Sequence, residues 1–281
     1  MFHRFRIGAW QATILSDGPL SLPAPSAIFS GVAEPELRRA LSGAGLPTDR
    51  VRVEQNCLLI DTGAQRLLFD NGMGTSKLFG EESGRLLTSF AEAGIAPDFI
   101  THMVLTHAHS DHCWGTMRDD GVPNFPNAAI VMSSTELAFW ESEPSGQGRR
   151  SVAGVKKHLI PLRERIKFVA DGEELVPGIQ AWSTPGHTPG HMAYLFTGGG
   201  GEAFCLAGDV AFFDPLSFAF PDSHSLYDAD PAVAAATRRR VLERLASDRL
   251  RVIGYHQPWP GLGRVERAGS GFRFIQDGGE T

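Results

Sequence analysis

Four side chains of the kinds that bind metals fall within one short run of this 281-residue chain, Thr106-His107-Ala108-His109-Ser110-Asp111-His112. Three more, His187, Asp209 and His256, arrive singly and tens of residues apart. On a helix, positions two apart point to nearly opposite sides, so His107, His109 and Asp111 converge only on an irregular loop. Packing does not account for such a cluster. Imidazole and carboxylate oxygen suit zinc, iron or manganese, and the seven groups exceed the four that a tetrahedral structural zinc takes. Two metals is the economical reading. The chain therefore has to fold so that distant segments aim side chains at one point, which the strand edges of a rigid sheet frame do.

The segment pattern supplies such strands. Alternation and β-branched content mark Arg4 to Leu15, Val51 to Asp61, Arg66 to Phe69 and Phe99 to Leu105. Short helices over Pro35 to Leu41 and Glu82 to Ala93 have Gly43 and Gly94 as stops. Ala129 to Met132 reads as a strand, and Ser133-x-x-Glu136 as a capping box opening a helix through Trp140. Val152, Val155, Leu159, Leu162 and Ile166 repeat at helical steps. More strands follow near Lys167 to Ala170, Ile179 to Ser183, Met192 to Thr197, Ala203 to Leu206 and Arg251 to Tyr255. Asp230 can cap a helix with Pro231 at its first position; there Val233, Val241, Leu242 and Leu245 face inward, and Arg238-Arg239-Arg240 forms a solvated face. Each ligand candidate follows a strand. The chain reads as two strand-then-helix halves of one domain over residues 1–281, without a low-complexity linker or an internal repeat.

Composition narrows the function classes. A hydrophobic content of 42% is enough for a substantial core. The net charge of −6 argues against a nucleic-acid surface, which needs a basic stripe to displace counterions. The opening stretch lacks the apolar centre of a secretory signal, and no apolar run of membrane-spanning length exists, so no membrane partner and a cytoplasmic location are expected. Cys57, Cys113 and Cys205 are odd in number and unpaired in spacing, which favours buried free thiols. Two divalent ions, set against Asp111, Asp209 and a bridging hydroxide, leave a small positive charge. That charge acidifies bound water and stabilises an oxyanion, so hydrolysis is the natural chemistry.

The ordered pattern resembles the metallo-β-lactamase superfamily: His-x-His-x-Asp-His at 107–112, a distant histidine in Thr184-Pro185-Gly186-His187-Thr188-Pro189-Gly190-His191, then Gly208-Asp209, then His256. The resemblance implies an α/β fold, the four-layer αβ/βα sandwich, with the metals at one edge of its two sheets. It also implies that His107, His109 and His187 bind one metal, that Asp111, His112 and His256 bind the other, and that Asp209 bridges them. Zinc is the first candidate, while manganese, iron or cobalt suit the same donors. Asp209 stands where the common zinc β-lactamases carry cysteine, which argues against an antibiotic substrate. The Ser16-Asp17-Gly18, Asp228-x-Asp230-Pro231 and Gly254-to-Gly263 segments are similar to the branch holding methyl parathion hydrolase and quorum-quenching lactonases.

That likeness implies a bridging hydroxide attacking a small neutral or apolar lactone or carboxylic ester. The alternatives, in order, are a phosphotriesterase, a glyoxalase II-like thioesterase and a non-catalytic metal-holding protein. Asp111 is expected to hold the hydroxide and pass a proton to the leaving group. Some lactonases of the superfamily place a tyrosine shortly after the bridging aspartate, where this chain has Phe212 and Phe213, so Tyr227 is the candidate oxyanion donor. Phe212 and Phe213, with Phe218 and Phe220 close behind, read equally as an apolar substrate wall or as core. The proline-rich loop Leu20 to Phe29 is a substrate rim or a dimer arm, which leaves a homodimer open. His3, His102, His158 and His224 are read as non-ligands, and His191 as a turn brace.

Overall fold

The computed structural model describes residues 1–142, 149–198 and 200–278. Two seven-stranded sheets face each other. The first orders Phe2–Ile7, Trp10–Ser16, Asn56–Asp61, Arg66–Phe69, His102–Val104, Ala129–Met132 and Ile166–Phe168. The second orders Glu174–Val176, Ile179–Ser183, Met192–Phe196, Phe204–Leu206, Arg251–Ile253, Leu262–Ala268 and Gly271–Gln276. The strand period of two explains how one segment feeds two layers. Leu58 and Ile60 point into the core between the sheets, where Phe69 meets Tyr194 and Phe196 edge-on at 5.1 and 5.3 Å. Cys57 and Leu59 point the other way, onto Leu86 and Phe90 of the helix Leu86–Ala93 and Leu137 of the helix Ser134–Glu141. Behind the second sheet, Leu195, Cys205 and Val252 meet Val241, Leu242 and Leu245 of the helix Pro231–Ser247. The result is the expected αβ/βα sandwich.

Several expectations need correction. The strand over Arg4 to Leu15 is a hairpin, turned at Gly8 (φ +56°) so that Ile7 faces Trp10. The segment Val51 to Asp61 divides between Val51–Val53, paired with Leu20–Leu22, and Asn56–Asp61, paired with Trp10–Ser16. The helix expected from Glu82 begins at Leu86, because the distant Asp17 carboxylate accepts the amides of Gly84 and Leu86. The long helix through Ile166 stops at His158 and continues as a tighter 3₁₀ stretch, Ile160–Arg165, where Pro161 cannot donate an amide. The strand near Lys167 runs Ile166–Phe168 and closes the first sheet beside Ala129–Met132 rather than opening the second. Val233 is exposed, and Arg238 is buried rather than solvated. The hairpin Leu262–Ala268/Gly271–Gln276 lay outside the expected strands. No helix among the described residues is long and apolar enough to cross a membrane.

Candidate metal centre

All seven ligand candidates come together where four strands end: His102–Val104, Ile179–Ser183, Phe204–Leu206 and Arg251–Ile253. His109 Nδ1 lies 3.0 Å from both His107 Nε2 and His187 Nε2. Asp111 does not sit on the expected irregular loop with His107 and His109 but, together with His112, on a single helical turn, Ser110–Cys113. There Asp111 Oδ2 is 3.2 Å from His256 Nε2 and 3.6 Å from His112 Nε2. Asp209 stands between the two groups, with Oδ1 at 3.3 Å from His112 Nε2 and Oδ2 at 3.3 and 3.4 Å from the Nε2 atoms of His187 and His256.

The outer atoms of these rings decide what the inner ones can do. His187 Nδ1 is 2.9 Å from the Asp228 carboxylate and His112 Nδ1 is 2.8 Å from Asp70. His256 Nδ1 is 2.6 Å from the Glu54 carbonyl oxygen. Those oxygens only accept, so each Nδ1 carries its hydrogen and each neutral ring turns an Nε2 lone pair inward. Thr106 gives its hydroxyl hydrogen to Asp70 at 2.8 Å, so its oxygen can accept from His107 Nδ1 at 3.0 Å, which fixes that ring the same way. Among the described residues His112 Nε2 and Asp209 Oδ1 are buried without a hydrogen-bond partner. Buried polar atoms seldom go unsatisfied, and a nitrogen lone pair beside a carboxylate oxygen is a donor set for a divalent cation. The residues fit two such ions.

The charges agree. Burial acts to lower His187 and His256, but the surrounding carboxylates outweigh it and hold each at about 9 in the ion-free site. Burial and neighbouring histidines hold His109 down at about 3. Asp209, Asp111 and Asp70 likewise outweigh burial and push His112 well up, so protons on His112, His187 and His256 occupy the role that cations would take, and cation binding must release them.

Sequence reasoning missed the residues that aim the ligands. Asp70 follows a buried strand and has φ +56°, a conformation uncommon outside glycine. Asp228 joins His187 to Arg238, whose guanidinium also donates to the carbonyls of Val210, Pro221 and Ser223. Ser133 caps its helix by accepting from Thr135 N, but Glu136 does not complete the capping box; its carboxylate bonds Ala108 N and Trp140 Nε1 instead. A charged residue on the apolar side of a helix, flanked by Leu137 and Trp140, was the available signal. His191 is a brace: it pairs with Thr184 Oγ1 and accepts the Asp209 amide at 3.0 Å. Gly208 is required there, since at φ +52° a Cβ would sit 2.6 Å from His191 Nε2. The three cysteines are buried and unpaired, and burial pushes the Cys113 thiol well up.

The centre opens into a cavity of about 750 Å³ whose walls include Leu22, Phe79, Trp140, Phe212, Leu226 and Tyr227. Phe212 stacks on Phe29 at 5.5 Å and meets Tyr227 edge-on at 6.2 Å. Phe213 lines a separate depression beyond His256, with Arg50 and Asp214. Phe218 packs against Phe274 in the core, and Phe220 packs beside Phe213 and Leu216.

Residues 50–256 match the family described as Metallo-beta-lactamase superfamily. The chain belongs to the metallo-beta-lactamase superfamily. Its matched span ends on His256 and holds every ligand candidate. A solved structure of the hydrolase AbOPH superposes on this superfamily member with a TM-score of 0.90 at 26% identity, covering 100% of this chain and 98% of that one. The structure of AidC, a dizinc quorum-quenching lactonase with a product N-hexanoyl-L-homoserine, gives 0.88 at 27% identity and the same coverage. The N-acyl homoserine lactonase of Bacillus cereus is 25% identical over 175 residues, 56% of this chain and 64% of that protein. The chain spans 60% to 64% of the length of the curated relatives it matches first.

Proposed function

We propose that this chain is a metal-dependent hydrolase that opens a small lactone or carboxylic ester, with two divalent ions, zinc foremost, held by the seven converged side chains. The observation that carries the reading is the inward set of imidazole lone pairs around Asp209, facing a cavity with apolar walls. His107, His109 and His187 would hold one ion, Asp111, His112 and His256 the other, and Asp209 would contact both. Bound ions supply Lewis acidity, making water a nucleophile near neutral pH and polarising a carbonyl. The likeness to AidC, described as a dizinc lactonase, supports both the ions and the substrate class.

The chain's own groups account for the remaining roles. His112 and His256 outweigh burial and hold Asp111 at about 2, so its carboxylate is ionised and able to accept a hydrogen bond that orients the attacking water; passing a proton on to the leaving oxygen is the role proposed for it from the family resemblance. Burial raises the Tyr227 phenol, which therefore stays protonated and able to donate to a substrate oxygen in the cavity. Phe212, Leu22 and Leu226 keep water from an acyl or aryl group.

The test is a panel of lactones, aryl esters, thioesters and phosphotriesters given to zinc-loaded protein. Lactones or esters should turn over fastest; no hydrolysis at full metal occupancy would sink the proposal, and a preference for phosphotriesters would move the chain to that chemistry. Tyr227→Phe should lower kcat about tenfold or more with little change in KM, as loss of an oxyanion donor does. An unchanged kcat would remove Tyr227 from the mechanism.

A further inference from the structure

Glu136 is fully buried, yet its carboxylate has no part in the chemistry described above. Burial pushes its pKa up, while four donors hold the ionised form in place. Oε1 accepts from Ala108 N at 2.8 Å and Trp140 Nε1 at 2.7 Å; Oε2 accepts from Thr188 Oγ1 at 2.6 Å and Gly190 N at 3.2 Å. A carboxylate has about four lone-pair directions, and all are used. The partners are not scattered. Ala108 lies between His107 and His109, while Thr188 follows His187. One side chain therefore ties the two loops that carry these three histidines, loops separated by about eighty positions in sequence. The Trp140 it anchors stands edge-on to His109, ring centres 5.4 Å apart. Close docking of the second loop is built in, because a Cβ on Gly190 would lie 2.1 Å from Glu136 N.

We infer that Glu136 is a positioning residue acting chiefly on one ion: it sets the spacing of His107, His109 and His187 by bonding both of their loops, meets the run that continues to Asp111 and His112 only at Ala108, and has no hydrogen bond to the segment carrying His256. The inference rests on the two-ion reading. A glutamine at 136 can still accept from one pair of donors, but its amide nitrogen cannot accept from the other; turned toward Thr188 it donates to the hydroxyl oxygen instead and leaves the Gly190 amide without its acceptor, so the link is weakened on one side with little change in shape.

The experiment compares the zinc-loaded wild type with Glu136→Gln and the near-isosteric Thr188→Val, following zinc content per chain and zinc release to a colorimetric chelator, with circular dichroism to verify folding. Glu136→Gln should retain one ion as the wild type does and lose the other about 10- to 100-fold more readily. Thr188→Val, which deletes a single hydrogen bond, should shift the same ion about fivefold and reports even if Glu136→Gln does not fold. Two ions on the wild type with unchanged release from Thr188→Val and from a folded Glu136→Gln would overturn the inference alone. Equal weakening of both ions would also overturn it, since Glu136 would then be a general structural support. Fewer than two ions on the wild type would overturn the two-ion reading and the inference with it.

Discussion

Asp209→Ala should lower turnover on the order of a thousandfold, equivalent to roughly 4 kcal/mol of lost transition-state stabilisation. The size follows from position. Its two oxygens lie within 3.3 to 3.4 Å of ligand nitrogens from both triads, so the substitution weakens both ion sites and separates them electrostatically. Steady-state kinetics with a saturating lactone, beside zinc analysis of the same sample, separates the causes: kcat should fall together with zinc per chain. Asp209→Asn keeps the shape and one acceptor oxygen and removes the charge, so it should fall between the two. Retention of wild-type kcat by either variant would show that Asp209 does not bridge.

The second large effect is on stability. Arg238→Met should cost about 3–5 kcal/mol, the usual result of breaking a buried ion pair from one side. Arg238 is 1% exposed and 3.3 Å from Asp228, and three main-chain carbonyls lose their donor with it. Asp228 is left buried with His187 as its remaining charged partner. Urea unfolding of the metal-free chains measures the difference directly; a loss below about 1 kcal/mol would mean that the pair contributes little. Because Asp228 also holds the His187 ring, the same variant should bind zinc more weakly.

The convergence of the seven ligand candidates was legible because metal binding demands residue types that packing does not, and their spacing survives any error in the boundaries of surrounding strands. The two strand-then-helix halves were legible from their segment patterns, and the superfamily resemblance supplied the αβ/βα order; the unbroken apolar run Leu58, Leu59 and Ile60 marks a strand covered on both faces. What escaped was each feature set by a distant partner. The helix at Leu86 is started by Asp17, some seventy positions away, and nothing local to Glu82 or Leu86 announces it. Glu136 satisfied a local capping rule in sequence, but three tertiary hydrogen bonds and one to Trp140 in its own helix outcompeted the one it would have made at the helix end. Arg238 looked solvated between Arg239 and Arg240; of the three, only Arg238 lies on the face turned toward Asp228. Buried polar side chains with long-range partners are thus where sequence periodicity misleads.

Zinc titration of the metal-stripped chain bears most directly on the central claim, with bound ions counted per chain and protons released measured alongside. Two ions should bind, with proton release that falls as the pH is raised through about 9, where His187 and His256 lose their protons in the ion-free site, leaving the contribution of His112, whose carboxylate neighbours push it well up. A single ion, or none, at saturating zinc would contradict the account.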